Sequence, residues 1–207
     1  SIVAGGANAC ILHYVENRAP LRAGDLLLID AGCEWQGYAS DITRTFPVGG
    51  RFSAPQRDLY QLVLAAQQAA LSRIKPRAPF TAYHEAAVRV LVRGLIDFKL
   101  CRGSVDGVIE SGDYRQFYMH RTGHWLGRDV HDVGDYTVGG RSRPLVPGMV
   151  LTVEPGLYVR PGPKVPKAFH HIGIRIEDDV VVTPSGHRVL TDGAPKSVAD
   201  IEAWMAP

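Results

Sequence analysis

The sequence has few cysteines and no long apolar run. Its 207 residues include three cysteines, an odd number, and no Cys-x-x-Cys pair. This pattern supplies neither a disulfide framework nor a zinc ribbon. We therefore expect a reducing, cytoplasmic location, with Cys10, Cys33 and Cys101 each acting as a small buried hydrophobic residue. No window approaches the roughly 18 to 20 apolar residues that cross a bilayer, so we expect no membrane partner.

An excess of charge of either sign is also lacking. The 23 basic and 21 acidic residues give a formal net charge of +2. The Lys and Arg residues form no run dense enough to follow a phosphate backbone, which argues against nucleic acid as a partner. A hydrophobic fraction of 45% is that of a globular protein with a core, and the length suits one sizeable domain.

Residue periodicity divides the chain into a hairpin, two helices and a mainly β second half. The runs 26–29 and 38–46 predict two paired strands. Ser53 and Gln56 form an S-x-x-Q capping box, and apolar residues follow at helical spacing over about 55–74 and again over about 82–98. Further strands are predicted at 149–154, 157–160 and 172–183.

An internal repeat links the two halves. Residues 21–32 align without gaps against 145–156, which places Asp30 opposite Glu154, and each segment is followed by another acidic strand that carries Asp41 or Glu177. If the halves pair about a pseudo-twofold axis, four carboxylates converge and repel one another unless cations neutralise them. The alternative is chance similarity, because L-x-x-G before a strand is common.

Alternation along residues 172–177 places Gly173, Arg175 and Glu177 on one face of a strand. Arg175 is then expected beside Glu177, where it could hold a metal-binding carboxylate in place. Gly173 would leave room for a substrate or for another backbone segment. On spacing alone, an ordinary surface ion pair is the favoured interpretation, and only the neighbouring histidine motif favours a role at a metal site.

Histidines are concentrated in one segment. His120, His124 and His131 fall within residues 119–134, and glycines flank the central one. A single histidine is more often structural than metal-binding. Three of them close to four acids on strands indicate a metal site with acid or base support.

The motifs at 28–33, 40–47, 120–134, 151–156 and 173–178 resemble those of bacterial aminopeptidase P, and the resemblance covers almost the whole chain. It implies an α+β pita-bread fold, a pseudo-twofold repeat of helices packed on a curved, mainly antiparallel sheet. It also implies two divalent metal ions, usually Mn²⁺. The ligands implied for them are Asp30, Asp41, His124, Glu154 and Glu177.

The same resemblance assigns roles on the substrate side of the site. It places His13, His120 and His131 around the substrate, and His131 would move a proton or polarise the carbonyl. Glu154 would accept the proton of the nucleophile while remaining a ligand. Arg128 stands where the family frequently has leucine, which could alter a pocket wall.

The function implied is removal of the N-terminal residue from peptides with proline in second position, by attack of a metal-bridging hydroxide. Four carboxylates and one imidazole suit manganese and permit iron, cobalt or zinc. A prolidase that cleaves Xaa-Pro dipeptides would use the same five ligands. Methionine aminopeptidases are similar mainly in the ligands. A non-catalytic pita-bread binding module is a further alternative, although such modules have typically lost ligands, and metal analysis would identify one.

Residues 1–207 are expected to form the metallopeptidase catalytic domain, truncated at its N-terminus and without the upstream N-terminal domain of the family. The second half is preceded by the helix pair, whereas the first half starts in strand-like sequence at Ile2. A symmetric fold would require a matching pair before Ser1. One sheet face would then be uncovered, so we expect low stability or self-association, including a homo-oligomer.

Overall fold

The structure, a computed structural model, describes residues 1–206. Its α-helices are α1 (Ala54–Leu71), α2 (Thr81–Asp97), α3 (Val105–Ser111) and α4 (Val198–Trp204). Its strands are β1 (Ile2–Gly5), β2 (Leu26–Ala31), β3 (Glu34–Trp35), β4 (Tyr38–Ala39), β5 (Ile42–Pro47), β6 (Thr137–Val138), β7 (Arg141–Ser142), β8 (Val150–Val153), β9 (Gly156–Val159), β10 (Ile172–Arg175), β11 (Asp178–Thr183) and β12 (Gly186–Val189).

The first half is an antiparallel sheet in the order β1-β2-β5. The predicted hairpin is present, and Asp30 on β2 pairs with Thr43 on β5. The connection between them carries a small extra hairpin, β3-β4, which the sequence pattern did not separate from the longer strand. Alternation in this sheet therefore places Asp30 and Thr43 on the same face.

The helix pair covers the second half of the molecule. The predicted capping box begins α1, since the side-chain oxygen of Gln56 accepts the backbone N–H of Ser53 at 2.9 Å. The buried stripe of α1 packs against α2 and against β8, β9 and β10. Both helices end slightly before the predicted limits, at Leu71 and Asp97, because turns rather than helix precede Pro76 and Leu100.

The second half contains a sheet in the order β12-β11-β8 and a pair formed by β9 and β10, all antiparallel. The prediction of one continuous strand over 172–183 was wrong, because β10 ends at Arg175 and β11 begins at Asp178. Between them, the backbone N–H of Glu177 donates to the carbonyl of Thr43 at 3.0 Å. At Glu177 the backbone is therefore hydrogen-bonded to the first half of the molecule instead of to a neighbouring strand of the second half.

The two sheets differ in how their outer faces are covered. Residues of β8, β9 and β10 are almost all buried on both faces beneath α1. On the outer face of β1-β2-β5 the apolar side chains are half-buried, namely Val3, Leu27, Ile29, Ile42 and Phe46. Within the described residues, no α-helix precedes Ala54.

The cysteine prediction holds at two of three positions. Cys10 and Cys101 are buried, but Cys33 is exposed in the turn after β2, with its sulfur 3.4 Å from the Ser40 hydroxyl oxygen. The expectation for Cys33 was wrong because the chain leaves the sheet at Gly32. None of the helices in the described part of the chain is both long enough and apolar enough to cross a membrane.

Candidate metal centre

The five predicted ligands line one cavity of about 370 Å³ between the two half-sheets. Asp30 lies on β2, Asp41 directly before β5, Glu154 directly after β8 and Glu177 between β10 and β11. The convergence of four carboxylates expected from the internal repeat is thus present. Each acid is at or next to a strand end, so the backbone of the two sheets sets their separation.

His124 is held against β8 by its own main chain. Its N–H donates to the Thr152 hydroxyl at 3.1 Å, and its carbonyl accepts the Thr152 N–H at 3.0 Å. The preceding Gly123 lies so close that a Cβ there would overlap the carbonyl oxygen of Thr152. A glycine before the histidine is therefore required for this close approach.

The His124 ring is oriented for metal binding. Its Nδ1–H donates to the Trp125 carbonyl at 2.9 Å, which leaves Nε2 free as a ligand. Nε2 lies 3.6 Å from an oxygen of Asp41 and 3.6 Å from an oxygen of Glu154. Ligand atoms of Asp41, His124 and Glu177 all lie within 4.8 Å of one another. One cation could contact all three.

The electrostatics of the cavity favour cations. Burial raises the pKa of Glu154 to about 7, although the nearby His124 and Arg175 act to lower it. Burial and the neighbouring Glu154 raise the pKa of Glu177 well above its usual range. Divalent cations bound among these carboxyl groups would stabilise their ionised forms, because the positive charge offsets the mutual repulsion. Hard oxygen donors with one imidazole are a ligand set that fits such ions.

Arg175 holds a carboxylate, but not the one expected from the strand pattern. Its guanidinium donates to Asp30 at 2.5 Å, across the molecule, rather than to Glu177. Glu177 instead accepts the Thr43 hydroxyl at 2.6 Å, and the Thr43 oxygen accepts the Nε–H of Arg175 at 3.2 Å. Gly173 admits backbone rather than substrate, since the Ala9 carbonyl lies against it.

His120 is a neutral, internally bonded histidine. Burial lowers its pKa to about 4. Its Nδ1–H donates to the Arg121 carbonyl at 2.7 Å, and its Nε2 accepts the Tyr158 hydroxyl at 2.8 Å. That hydroxyl oxygen in turn accepts from Arg175 at 2.9 Å. Both ring nitrogens are engaged within the protein.

His131 and His13 lie at the open side of the cavity. Both are exposed, and both line the metal cavity and an adjoining cavity of about 620 Å³. The His131 ring packs edge-on against His124, with centroids 4.3 Å apart and planes at 80°. Partial desolvation and His124 lower the pKa of His131. Its position faces incoming ligands more directly than that of His120.

Among the residues that support the site, Thr43, Thr152 and Tyr158 were missed from the sequence. Period-two alternation could have identified the threonines, since Thr43 is two residues after Asp41 and Thr152 two residues before Glu154. Tyr158 could not be found this way, because its role depends on a contact with Arg175 from the neighbouring strand.

The family match and the fold place the chain among the metallopeptidases by descent. Residues 1–184 match metallopeptidase family M24, and the chain belongs to that family. It is 53% identical over 205 residues to an Xaa-Pro aminopeptidase of Haemophilus influenzae, covering 99% of this chain and 47% of the relative. It is 50% identical over 205 residues to the Xaa-Pro aminopeptidase of Escherichia coli, covering 99% of this chain and 46% of that relative.

The structural comparison agrees. The aminopeptidase PepP of Pseudomonas aeruginosa superimposes with a TM-score of 0.97 at 58% identity, covering 99% of this chain and 46% of that one. The resemblance to aminopeptidase P and the α+β pita-bread fold expected from the sequence are confirmed. The chain spans about half the length of the curated relatives that it matches.

Proposed function

We propose that the chain carries the catalytic site of an Xaa-Pro aminopeptidase, which removes the first residue from peptides with proline in second position. The observation that carries the proposal is the convergence of four carboxylates and one imidazole in a single cavity, in a chain about half identical to proteins named Xaa-Pro aminopeptidase. Those names favour the aminopeptidase over the prolidase. The peptide is the proposed partner, and a reducing cytoplasm the proposed location.

Asp30, Asp41, His124, Glu154 and Glu177 would hold two divalent cations, for which Mn²⁺ is the proposed identity. When bound, such ions acidify a water molecule and polarise the substrate carbonyl. The Escherichia coli aminopeptidase P has also been solved in a zinc-substituted form, so Zn²⁺ is the alternative ion to compare with Mn²⁺.

The protein groups have separate tasks in this proposal. Arg175 fixes Asp30 and orients the Tyr158 hydroxyl, which fixes the neutral ring of His120 as a wall of the cavity. Glu154, whose pKa is raised to about 7, is suited to hold a proton at its carboxyl group during hydrolysis. His131, exposed beside His124, is placed to exchange a proton with the substrate.

The test compares an Xaa-Pro-Yaa tripeptide with the matching Xaa-Pro dipeptide on Mn²⁺-loaded protein. We expect release of the first residue from the tripeptide and little cleavage of the dipeptide. Asp30→Asn and His124→Ala are the matched variants, because each removes one proposed ligand. Both should lose turnover and bound metal, measured by elemental analysis.

Preferential cleavage of the dipeptide would replace this proposal with a prolidase. Purified protein that takes up no stoichiometric metal and cleaves neither peptide would indicate a binding module. Full activity in either variant would contradict the dinuclear assignment.

A further inference from the structure

Asp179 is a buried acid beside the proposed metal centre. Asp179 is only 3% exposed, and its Oδ2 accepts the backbone N–H of Asp41 at 3.1 Å. The other carboxylate oxygen has no hydrogen-bond partner among the described residues. A buried carboxylate with one oxygen unpaired costs folding free energy, so its presence calls for an explanation other than stability.

The backbone N–H of Asp41 has no acceptor within the sheet. The ladder between β2 and β5 ends at the pair of Ala31 and Ile42, so Asp41 lies just outside it. Directly before Asp41, the Ser40 carbonyl is pressed against Gly32, where a Cβ would overlap it. The backbone N–H of Asp41 is therefore fixed not by the sheet but by a carboxylate 138 residues further along the chain.

The acceptor comes from the strand that follows another proposed ligand. Asp179 is two residues after Glu177, on β11, where it pairs with Thr152 of β8. Thr152 itself accepts the His124 N–H and donates to Glu154 at 3.3 Å. A single strand segment thus carries Glu177 and also sets the position of Asp41 from the other half of the molecule.

We propose that Asp179 is a positioning residue for the metal centre, which fixes the separation of Asp41 and Glu177 through its hydrogen bond to the Asp41 main chain. The inference rests on the proposed metal-binding function. Asp41, Glu177 and His124 are the three residues whose donor atoms lie within 4.8 Å of one another, so a shift of Asp41 would open this group.

The experiment is a calorimetric Mn²⁺ titration of the wild type and three variants at a temperature well below unfolding. Asp179→Ala removes the acceptor and should weaken Mn²⁺ binding by about 10-fold to 100-fold, the usual effect of losing a group that orients a ligand. Asp179→Asn keeps an oxygen that can accept the N–H and should retain most of the affinity. Thr191→Val is the control, because the Thr191 hydroxyl accepts the Asp179 main-chain N–H at 3.2 Å and donates to Asp178 at 2.7 Å but has no hydrogen bond to Asp41.

Thr191→Val should lower the Tm but leave Mn²⁺ affinity unchanged. A wild-type affinity in Asp179→Ala accompanied by a lower Tm would make Asp179 merely structural and overturn the inference. Equal loss in Asp179→Asn and Asp179→Ala would overturn its hydrogen-bond basis. A wild type that binds no Mn²⁺ would instead refute the proposed function, so the two failures are distinguishable.

Discussion

At the scale of single residues, the carboxylates of the proposed metal centre are held from opposite halves of the molecule. Arg175 of the second half binds Asp30 of the first, and Thr43 of the first half binds Glu177 of the second. The cavity is therefore assembled only when both halves are packed together. His131 lies at the open side of the cavity and is not held by a contact of this kind. We therefore expect it to act on the substrate rather than to bind metal.

His131→Ala should leave the metal content unchanged and lower kcat by roughly 10² to 10⁴, the range for loss of a positioned acid or base. The physical reason is that His131 contacts the His124 ring by its edge and is not among the grouped donor atoms. Steady-state kinetics with elemental analysis measures both. His170→Ala is the control, since His170 lies outside the cavity. Loss of metal in His131→Ala would make it a ligand, and an unchanged kcat would remove it from the mechanism.

Mn²⁺ affinity should fall as the pH is lowered through about 7. Burial raises the pKa of Glu154 to about 7, and burial with the neighbouring Glu154 raises the pKa of Glu177 well above its usual range, so the metal-free protein holds protons on these carboxyl groups more readily than free carboxylates do. A cation must displace them, so binding should release protons and strengthen as the pH rises. Calorimetry in buffers of different ionisation enthalpy measures this release. A pH-independent affinity with no proton release would contradict the prediction.

At the scale of secondary structure elements, α1 is tied to the acidic strands by one buried amide. The side-chain nitrogen of Gln67 lies 3.0 Å from Asp178 Oδ2 and 3.3 Å from the carbonyl oxygens of both Val153 and Ile176. These carbonyls lie where β8 ends and where the chain passes between β10 and β11. Helix α1, through Gln67, therefore supplies a hydrogen-bond donor where β8 ends and where β10 gives way to β11.

Gln67→Met should lower the free energy of unfolding by about 1 to 3 kcal/mol, because the volume is kept but three buried acceptors lose the hydrogen bond from Gln67. Gln68→Met is the matched control on the same helix, since Gln68 is exposed. Urea denaturation monitored by circular dichroism compares the two variants. Equal stability of Gln67→Met and Gln68→Met would show that the Gln67 contacts contribute nothing measurable.

The elements that the sequence predicted correctly are those governed by local periodicity. The capping box at Ser53 is such a pattern, and the repeat that aligns Asp30 with Glu154 is visible as a match between two short segments. The structure contains the capping box and brings the two acids into one cavity. The partner of Arg175 and the break before Asp178 were predicted wrongly because both depend on contacts between the halves, which alternation along one strand cannot encode. Asp179 is two residues after Glu177 and could have been identified by spacing, but its partner could not, since its hydrogen bond to Asp41 spans 138 positions.

At the scale of the whole molecule, the two half-sheets are not equally covered. The second half is buried beneath α1 and α2, whereas the outer face of β1-β2-β5 presents half-buried Val3, Leu27, Ile29 and Ile42 to solvent. The C-terminal segment covers only part of this face, where the Arg44 guanidinium donates to the carbonyls of Ala194 and Pro195 at 3.0 Å. Contiguous apolar surface of this kind favours association.

We therefore predict that the 207-residue chain self-associates as its concentration rises, through the outer face of β1-β2-β5. The doubly substituted variant Leu27→Thr with Ile29→Thr should reduce association, because it places hydroxyl groups on that face and threonine, being β-branched, is suited to a strand. Val133→Thr is the control, since Val133 is 87% exposed and lies in a loop outside β1, β2 and β5. Static light scattering over a concentration series measures the effect. A monodisperse wild-type monomer at every concentration, or equal association in both variants, would show that the half-covered sheet face is tolerated in isolation.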